Sequence, residues 1–305
     1  MDARAPGPAR TALTPRDLLL MLALVTVAGF AFVPIKLALQ EIPPFALAAL
    51  RFLLAALPAM FFVPRPALPW RFVVSYGHAI GFFQFGLLFL AIKMGMPAGL
   101  SSLVIQVQVF FTIGLAMLLS GDRVTPANIA GALIATVGII VLGAYKLMEG
   151  MTGTFVGFLL VIVAGFFWAV GNLIVKKGGA GRNVSMLGLV VWSSIVPVLP
   201  LALVSYWLEG GAGVWHAIAK ASWFAWGCVI FLAWAATLFA FGAWNVLLRR
   251  YATALVSPFA LLIPVAGLAS GALFLNEWLV TMQVAGVVLI LAGLVVNLYG
   301  DRWSG

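Results

Sequence analysis

Residues 97–145 read PAGLSSLVIQVQVFFTIGLAMLLSGDRVTPANIAGALIATVGIIVLGAY. Two apolar runs, 97–119 and 126–145, flank a short polar turn at Gly121-Asp122-Arg123. Each matches the roughly 20 apolar residues that a helix needs to cross the hydrocarbon core of a bilayer. Reading outward finds eight more such runs: 18–39, 44–63, 72–92, 153–175, 184–207, 222–247, 253–275 and 279–299. The breaks between them hold turn formers and charges, among them Pro43-Pro44, Pro64-Arg65-Pro66, the segments 146–150, 176–182 and 209–213, Arg249-Arg250 and Asn276-Glu277. The softest break, near 92–97, carries Lys93, Gly95 and Pro97. The expected fold class is an all-α membrane protein of ten transmembrane helices, called span 1 to span 10 in chain order.

The opening stretch also recurs. Shifted by 155 residues, Leu100 falls on Leu255, Ser102 on Ser257, Asp122 on Glu277, Ala130 on Ala285, Gly131 on Gly286 and Gly138 on Gly293. A shift of 140 brings Lys36 onto Lys176 at the ends of spans 1 and 6. Apolar helices align readily with one another, but an acidic turn residue and two helix glycines agreeing in one register is a stronger match. Five spans per copy is an odd number, so the two copies must run in opposite directions through the membrane. The expected organisation is a tail at 1–16, a first five-helix repeat at 17–145 and a second, inverted one at 153–300. Inverted repeats are a common construction in secondary transporters.

Composition agrees. The chain is 64% hydrophobic and 8% charged, against about a quarter charged in soluble domains. Its net charge of +9 comes from seventeen Lys and Arg scattered singly or in pairs, with no basic stripe or stacking platform, so nucleic acid is a poor partner. The bilayer is the natural one. Cys228 is the single cysteine, which excludes an intrachain disulfide and a thiolate metal cluster; no cofactor is expected. A signal peptide is the rival reading of the N-terminus, but the run at 18–39 exceeds the usual h-region of roughly 7–15 residues. With the N-terminus inside, twelve Lys and Arg fall on the cytoplasmic side and four outside, which places both termini in the cytoplasm.

Gly29-Phe30-Ala31-Phe32-Val33-Pro34-Ile35-Lys36, Leu50-Arg51-Phe52-Leu53-Leu54 and the acidic turns at Asp122-Arg123 and Glu277-Trp278 resemble the drug/metabolite transporter superfamily and, within it, the EamA-type exporters. The likeness runs from about Asp17 to Gly300. Gly95-Met96-Pro97-Ala98-Gly99-Leu100, the segment from Gln106 to Ile113, and Leu262-Ile263-Pro264 with the residues to Ser270 are similar to the O-acetylserine/cysteine exporters. Phe239-Ala240-Phe241-Gly242-Ala243-Trp244-Asn245 is similar to the aromatic amino-acid exporters. The resemblance implies amino-acid efflux across the inner membrane. One departure is Trp278, where many relatives carry a basic residue.

Two charged residues lie inside the spans as read, Lys36 and Arg51, and no carboxylate. Lys36 reads as a lysine snorkelling to the outer interface, with a functional charge as the alternative. Arg51 is deeper, roughly 10 Å along its helix at about 1.5 Å per residue. It reads equally as a binding group or, since it belongs to the general family pattern, as a structural donor to helix-end carbonyls. His78, with Ser75 and Phe82 one turn away on either side, either faces a cavity or bonds between helices. Gln106 and Gln108 are about 200° apart, so one is expected to line a cavity and the other to bond a neighbour; Ser102 favours the Ser102–Gln106 face.

Trp168 and Asn172 share a face of span 6, and Trp234, Thr237, Phe241 and Asn245 share one of span 8. Mixed aromatic and amide faces suit an amphipathic ligand, or else interhelical packing. Gly131, Gly138, Gly286 and Gly293 read as packing glycines, and Pro258 and Pro264 as hinge or gate positions.

The expected function is secondary export of amino acids or close small metabolites by alternating access. The zwitterion would be held by amides, hydroxyls and Trp faces, without a fixed countercharge. The rivals are an exporter of other metabolites or drugs, a passive channel, and an intramembrane Ser/His enzyme built on Ser75 and His78, which lacks a third orienting group. A multidrug cation exporter would need a membrane carboxylate. The sequence sets no oligomeric state.

Overall fold

A chain in lipid must satisfy its backbone N–H and C=O groups internally, which leaves helices or a closed barrel. The computed structural model describes residues 14–121, 125–148, 152–180, 184–251 and 253–303. It contains ten helices long and apolar enough to cross a membrane: Pro15–Ala38, Pro44–Phe61, Trp70–Lys93, Ala98–Leu119, Pro126–Met148, Gly153–Gly179, Met186–Leu208, Trp223–Leu248, Pro258–Leu275 and Thr281–Tyr299. They match the ten runs read from sequence. Leu118, Leu133, Ile140, Leu273 and Val288 are exposed, as apolar side chains are when their solvent is lipid. Most of the 1–16 tail, the Asp122-Arg123 turn, Glu149 and the Asn245 side chain lie outside the described residues.

Span 1 begins earlier than its apolar run suggests. Thr14 caps it by accepting from the Asp17 N–H, and Pro15 opens the first turn, where a missing N–H costs nothing. Asp17 therefore lies inside the helix, buried, with Arg250 donating to it at 2.6 Å and Tyr251 at 2.7 Å. A second difference is the short helix Ala212–Lys220 between spans 7 and 8. It buries Val214 while Trp215 is 70% exposed. Its length and two-sidedness suit the membrane interface, where Trp is favoured.

The 155-residue shift seen in the sequence recurs in the backbone. Span 4 ends on left-handed Gly121 (φ 68°) and span 9 on left-handed Asn276 (φ 56°), 155 residues apart. Both residue types tolerate that conformation, which satisfies the last carbonyls of the helix. Spans 3 and 8 each widen into π-helical turns, at Gly77–Gln84 and Phe231–Phe239, within a residue of the same shift. Spans 4 and 9 each tighten into 3₁₀ turns, at Ile105–Val107 and Ser257–Leu261. Pro258 lies at the start of the second of these, after Ser257. Span 4 tightens without a proline, so Pro258 is not the sole cause of the change.

Spans 5 and 10 pack antiparallel through the glycines. A Cβ on Gly131 would come within 2.6 Å of the Gly293 carbonyl oxygen, and one on Gly138 within 2.7 Å of that of Gly286. Contacts that rise in one helix as they fall in the other require opposite directions. The first half packs on the second elsewhere too: Gly29 of span 1 leaves no room against Ile263 and Ala266 of span 9, nor Gly77 and Gly81 of span 3 against Ser193, Val196 and Pro197 of span 7.

Candidate functional site

The ends of the bundle are fastened by charge. On the far face, opposite the start of span 1, three carboxylates each accept from the other half of the chain. Glu41, in the loop after span 1, accepts from the N–H and hydroxyl of Ser222, both at 2.6 Å. These hydrogen bonds hold the Glu41 carboxyl below its usual range. Glu209 accepts from the N–H groups of Phe45 (2.8 Å) and Ala46 (3.2 Å) at the start of span 2, and from the Ser205 hydroxyl. Glu277 accepts from the Ala98 and Gly99 N–H groups at 3.0 and 2.8 Å and from Lys36 Nζ at 2.7 Å. A helix N-terminus offers unpaired N–H groups and partial positive charge, so a carboxylate there is stabilising. Lys36 is thus ion-paired rather than simply snorkelling. On the near face, the Asp17 cluster joins the start of span 1 to the end of span 8.

Between these faces lies a cavity of about 20 Å³, large enough for roughly one water. Spans 2 and 3 contribute Arg51, Phe52, Tyr76, Ile80 and Phe85; spans 7 and 8 contribute Val190, Ser193, Ser194, Thr237 and Phe241. Arg51 is 3% exposed. Its Nε and Nη2 both donate to Thr237 Oγ1, at 3.2 and 3.0 Å, and the Thr237 hydroxyl in turn donates to the Leu232 carbonyl. The wide turns of span 8 place that carbonyl five residues back, within reach. The guanidinium lies 3.9 Å from the Phe85 ring centroid, with Phe52 and Phe89 further off. Among the described residues no carboxylate pairs with it. A cation at the centre of a membrane helix costs about 2.5–3.5 kcal/mol on insertion scales, and cation–π contact returns part of that, about 2 kcal/mol when desolvated.

Of the other candidates singled out by sequence, Phe241 also lines this cavity, whereas Trp168, Asn172, Gln106, Ser102, His78 and Phe82 are not among its lining residues. Trp168 packs against the cluster containing Tyr76 and Ile80. Asn172 Nδ2 donates to Gln108 Oε1 (2.9 Å) and Thr112 Oγ1 (3.1 Å), tying span 6 to span 4. Gln106 is buried in the 3₁₀ turn of span 4. Ser102, also buried, donates to the Gly99 carbonyl and approaches the Pro264 carbonyl at 3.4 Å. His78 Nδ1 lies 3.0 Å from the Val74 carbonyl of its own helix, an arrangement unlike that of a base poised on Ser75. Phe82 packs on the main core. Tyr76, Ser193 and Ser194 were not singled out from sequence. Their one signal is that Ser193-Ser194 and Ser101-Ser102 are the two Ser-Ser pairs in the chain.

The EamA-like transporter family model matches the chain twice, at 16–144 and 155–299. A protein of Escherichia coli (strain K12) named "Probable amino-acid metabolite efflux pump" is 43% identical over 289 residues, covering 94% of this chain and 96% of that one. Its namesake from Salmonella typhimurium is 44% identical over 288 residues, with the same coverage. An uncharacterized transporter of Archaeoglobus fulgidus is 27% identical over 89% of this chain and 95% of its own. A solved structure described simply as a crystal structure of a protein superposes with a TM-score of 0.62 at 19% identity, covering 96% of this chain and 100% of that one; that likeness concerns the fold alone.

Proposed function

Because the chain belongs to the EamA-like transporter family, we propose that it is a secondary exporter of amino acids or closely related small metabolites, working by alternating access between two inverted five-span halves. The observation that carries this reading is the central cavity, built from spans 2 and 3 of one half and spans 7 and 8 of the other. A site on the boundary between two similar halves opens to one side or the other as they rock. The antiparallel packing of spans 5 and 10 and the paired π-helical turns support the inversion. The names of the bacterial relatives supply the substrate class.

In this reading both termini are cytoplasmic in the inner membrane, and the Glu41, Glu209 and Glu277 contacts close the outer face. Phe241 belongs to the binding surface. Ser102, Gln106, Trp168 and Asn172, with His78 and Phe82 on span 3, lie outside the cavity's present lining and are proposed to meet substrate as the cavity enlarges. Pro258 and Pro264 lie where span 9 yields.

The test is reconstitution into liposomes with a panel of labelled amino acids. Saturable counterflow of at least one of them is expected. Flux that rises linearly with concentration would indicate a channel, and no flux for any amino acid would overturn the substrate assignment.

A further inference from the structure

We infer that Arg51 is the carboxylate receptor of the transported substrate, an assignment that rests on the amino-acid reading and sharpens it. Sequence alone left Arg51 as either a ligand group or a structural donor to helix-end carbonyls. The geometry separates the two. Among the described residues Arg51 donates to no helix-end carbonyl. Two of its N–H groups go to one hydroxyl, Thr237 Oγ1, and one face of its plane is covered by Phe85.

A guanidinium has five N–H donors in a fixed fork. Thr237 occupies the edge formed by Nε and Nη2. The other edge, formed by Nη1 and Nη2, has no carboxylate or carbonyl acceptor among the described residues, yet Arg51 lines the cavity. That edge presents two parallel N–H groups, the arrangement that takes a carboxylate bidentately. Arg51 lies seven residues past Pro44 in the 18-residue span Pro44–Phe61, near its middle. A central, desolvated cation that lacks a protein anion is completed by an anionic ligand.

The same cavity supplies the opposite polarity for an ammonium. Ser193 and Ser194 both donate their protons to the Val190 carbonyl, which leaves their oxygen lone pairs free to accept. The site therefore selects a molecule carrying a carboxylate and a nearby ammonium. At about 20 Å³ it must widen to admit one. The closed seam is where Gly77 and Gly81 meet Ser193, Val196 and Pro197.

The experiment is counterflow of labelled L-cysteine in proteoliposomes holding the full chain, with unlabelled L-cysteine, L-cysteinamide and cysteamine as competitors. In the wild-type protein the acid should compete at least about tenfold better than the amide or the amine, the scale of a charged hydrogen-bond pair. In Arg51→Gln that difference should collapse to within about twofold, while Arg51→Lys, which keeps the charge but loses the fork, should retain part of it. If the wild type takes the amide as well as the acid, the assignment falls while amino-acid transport stands, and this comparison needs no variant to fold. A folded Arg51→Gln protein that keeps the full difference would also overturn it. Should the panel show a different amino acid carried in place of L-cysteine, that acid, its amide and its decarboxylated amine take the same three places; if no amino acid of the panel is carried, both the reading and the assignment fall together.

Discussion

Glu277 receives three donors, the Ala98 and Gly99 N–H groups and Lys36 Nζ, whereas Lys36 contributes one of them. Loss of the carboxylate leaves the start of span 4 uncapped and the ammonium unpaired; loss of the lysine leaves a carboxylate still held by two N–H groups. Glu277→Ala should therefore destabilise the protein by about 1–2 kcal/mol, the scale of a lost helix cap, and by more than Lys36→Met. Thermal unfolding of both variants in detergent measures the order, and the reverse order would show that the ion pair dominates. The acidic turn was legible at Glu277 because its charge interrupts apolar sequence. Its partners were not, since Ala98 and Gly99 donate through the backbone from 178 or more residues away. The same holds at Arg51, visible as a lone charge: Thr237 was legible on a candidate face of span 8 but not as the partner of Arg51, and the serines of span 7 stayed ordinary.

Element ends and element contacts respond to different variables. The Glu41 contact at the start of span 8 responds to pH. Hydrogen bonds from Ser222 lower the folded pKa of Glu41 from its ordinary 4.5. A depressed carboxylate contributes stability at pH values above its unfolded pKa, and the contribution is lost as pH falls through the lowered folded value. The protection of the Ser222 and Ala225 N–H groups, measured against the intrinsic exchange rate at each pH, should thus fall as acid protonates Glu41, and Glu41→Gln should remove that pH dependence. Spans 5 and 10 respond to volume. Gly138→Val drives a side chain into the Gly286 carbonyl, at a cost of about 1–3 kcal/mol. Gly114, with nothing within 4 Å of its would-be Cβ, should accept Ala with no loss. Equal effects on the thermal midpoint at the two positions would refute the close-packing account. The seven-residue glycine spacing disclosed this seam in the sequence. The helix Ala212–Lys220 escaped notice because nine residues with one buried side read as a loop beside runs of twenty.

At the scale of the molecule, two expectations concern direction and driving force. Single cysteines in the 176–182 loop of a Cys228→Ala protein should be labelled by an impermeant reagent from the cytoplasmic side alone, and labelling from outside would sink the proposed orientation. Asp17 adds a carboxylate to the first turn of span 1, but Arg250 and Tyr251 engage it there, away from the central cavity. His78 remains the candidate coupling group among the spans, because an imidazole can change charge by taking or releasing a proton. Export is expected to follow the substrate's own gradient, unaltered by an imposed pH gradient in His78→Gln. Uphill accumulation in that variant would point to Asp17 instead.

The narrowness of the central cavity also bears on the membrane around it. A cavity with room for about one water, holding the Arg51 guanidinium and otherwise walled by Phe52, Ile80, Phe85 and Phe241, has no space for a continuous water thread, and a fixed positive charge there repels cations. A cell can therefore carry many copies of this protein without short-circuiting its membrane potential. Vesicles densely loaded with the idle protein should hold an imposed voltage as long as protein-free vesicles do.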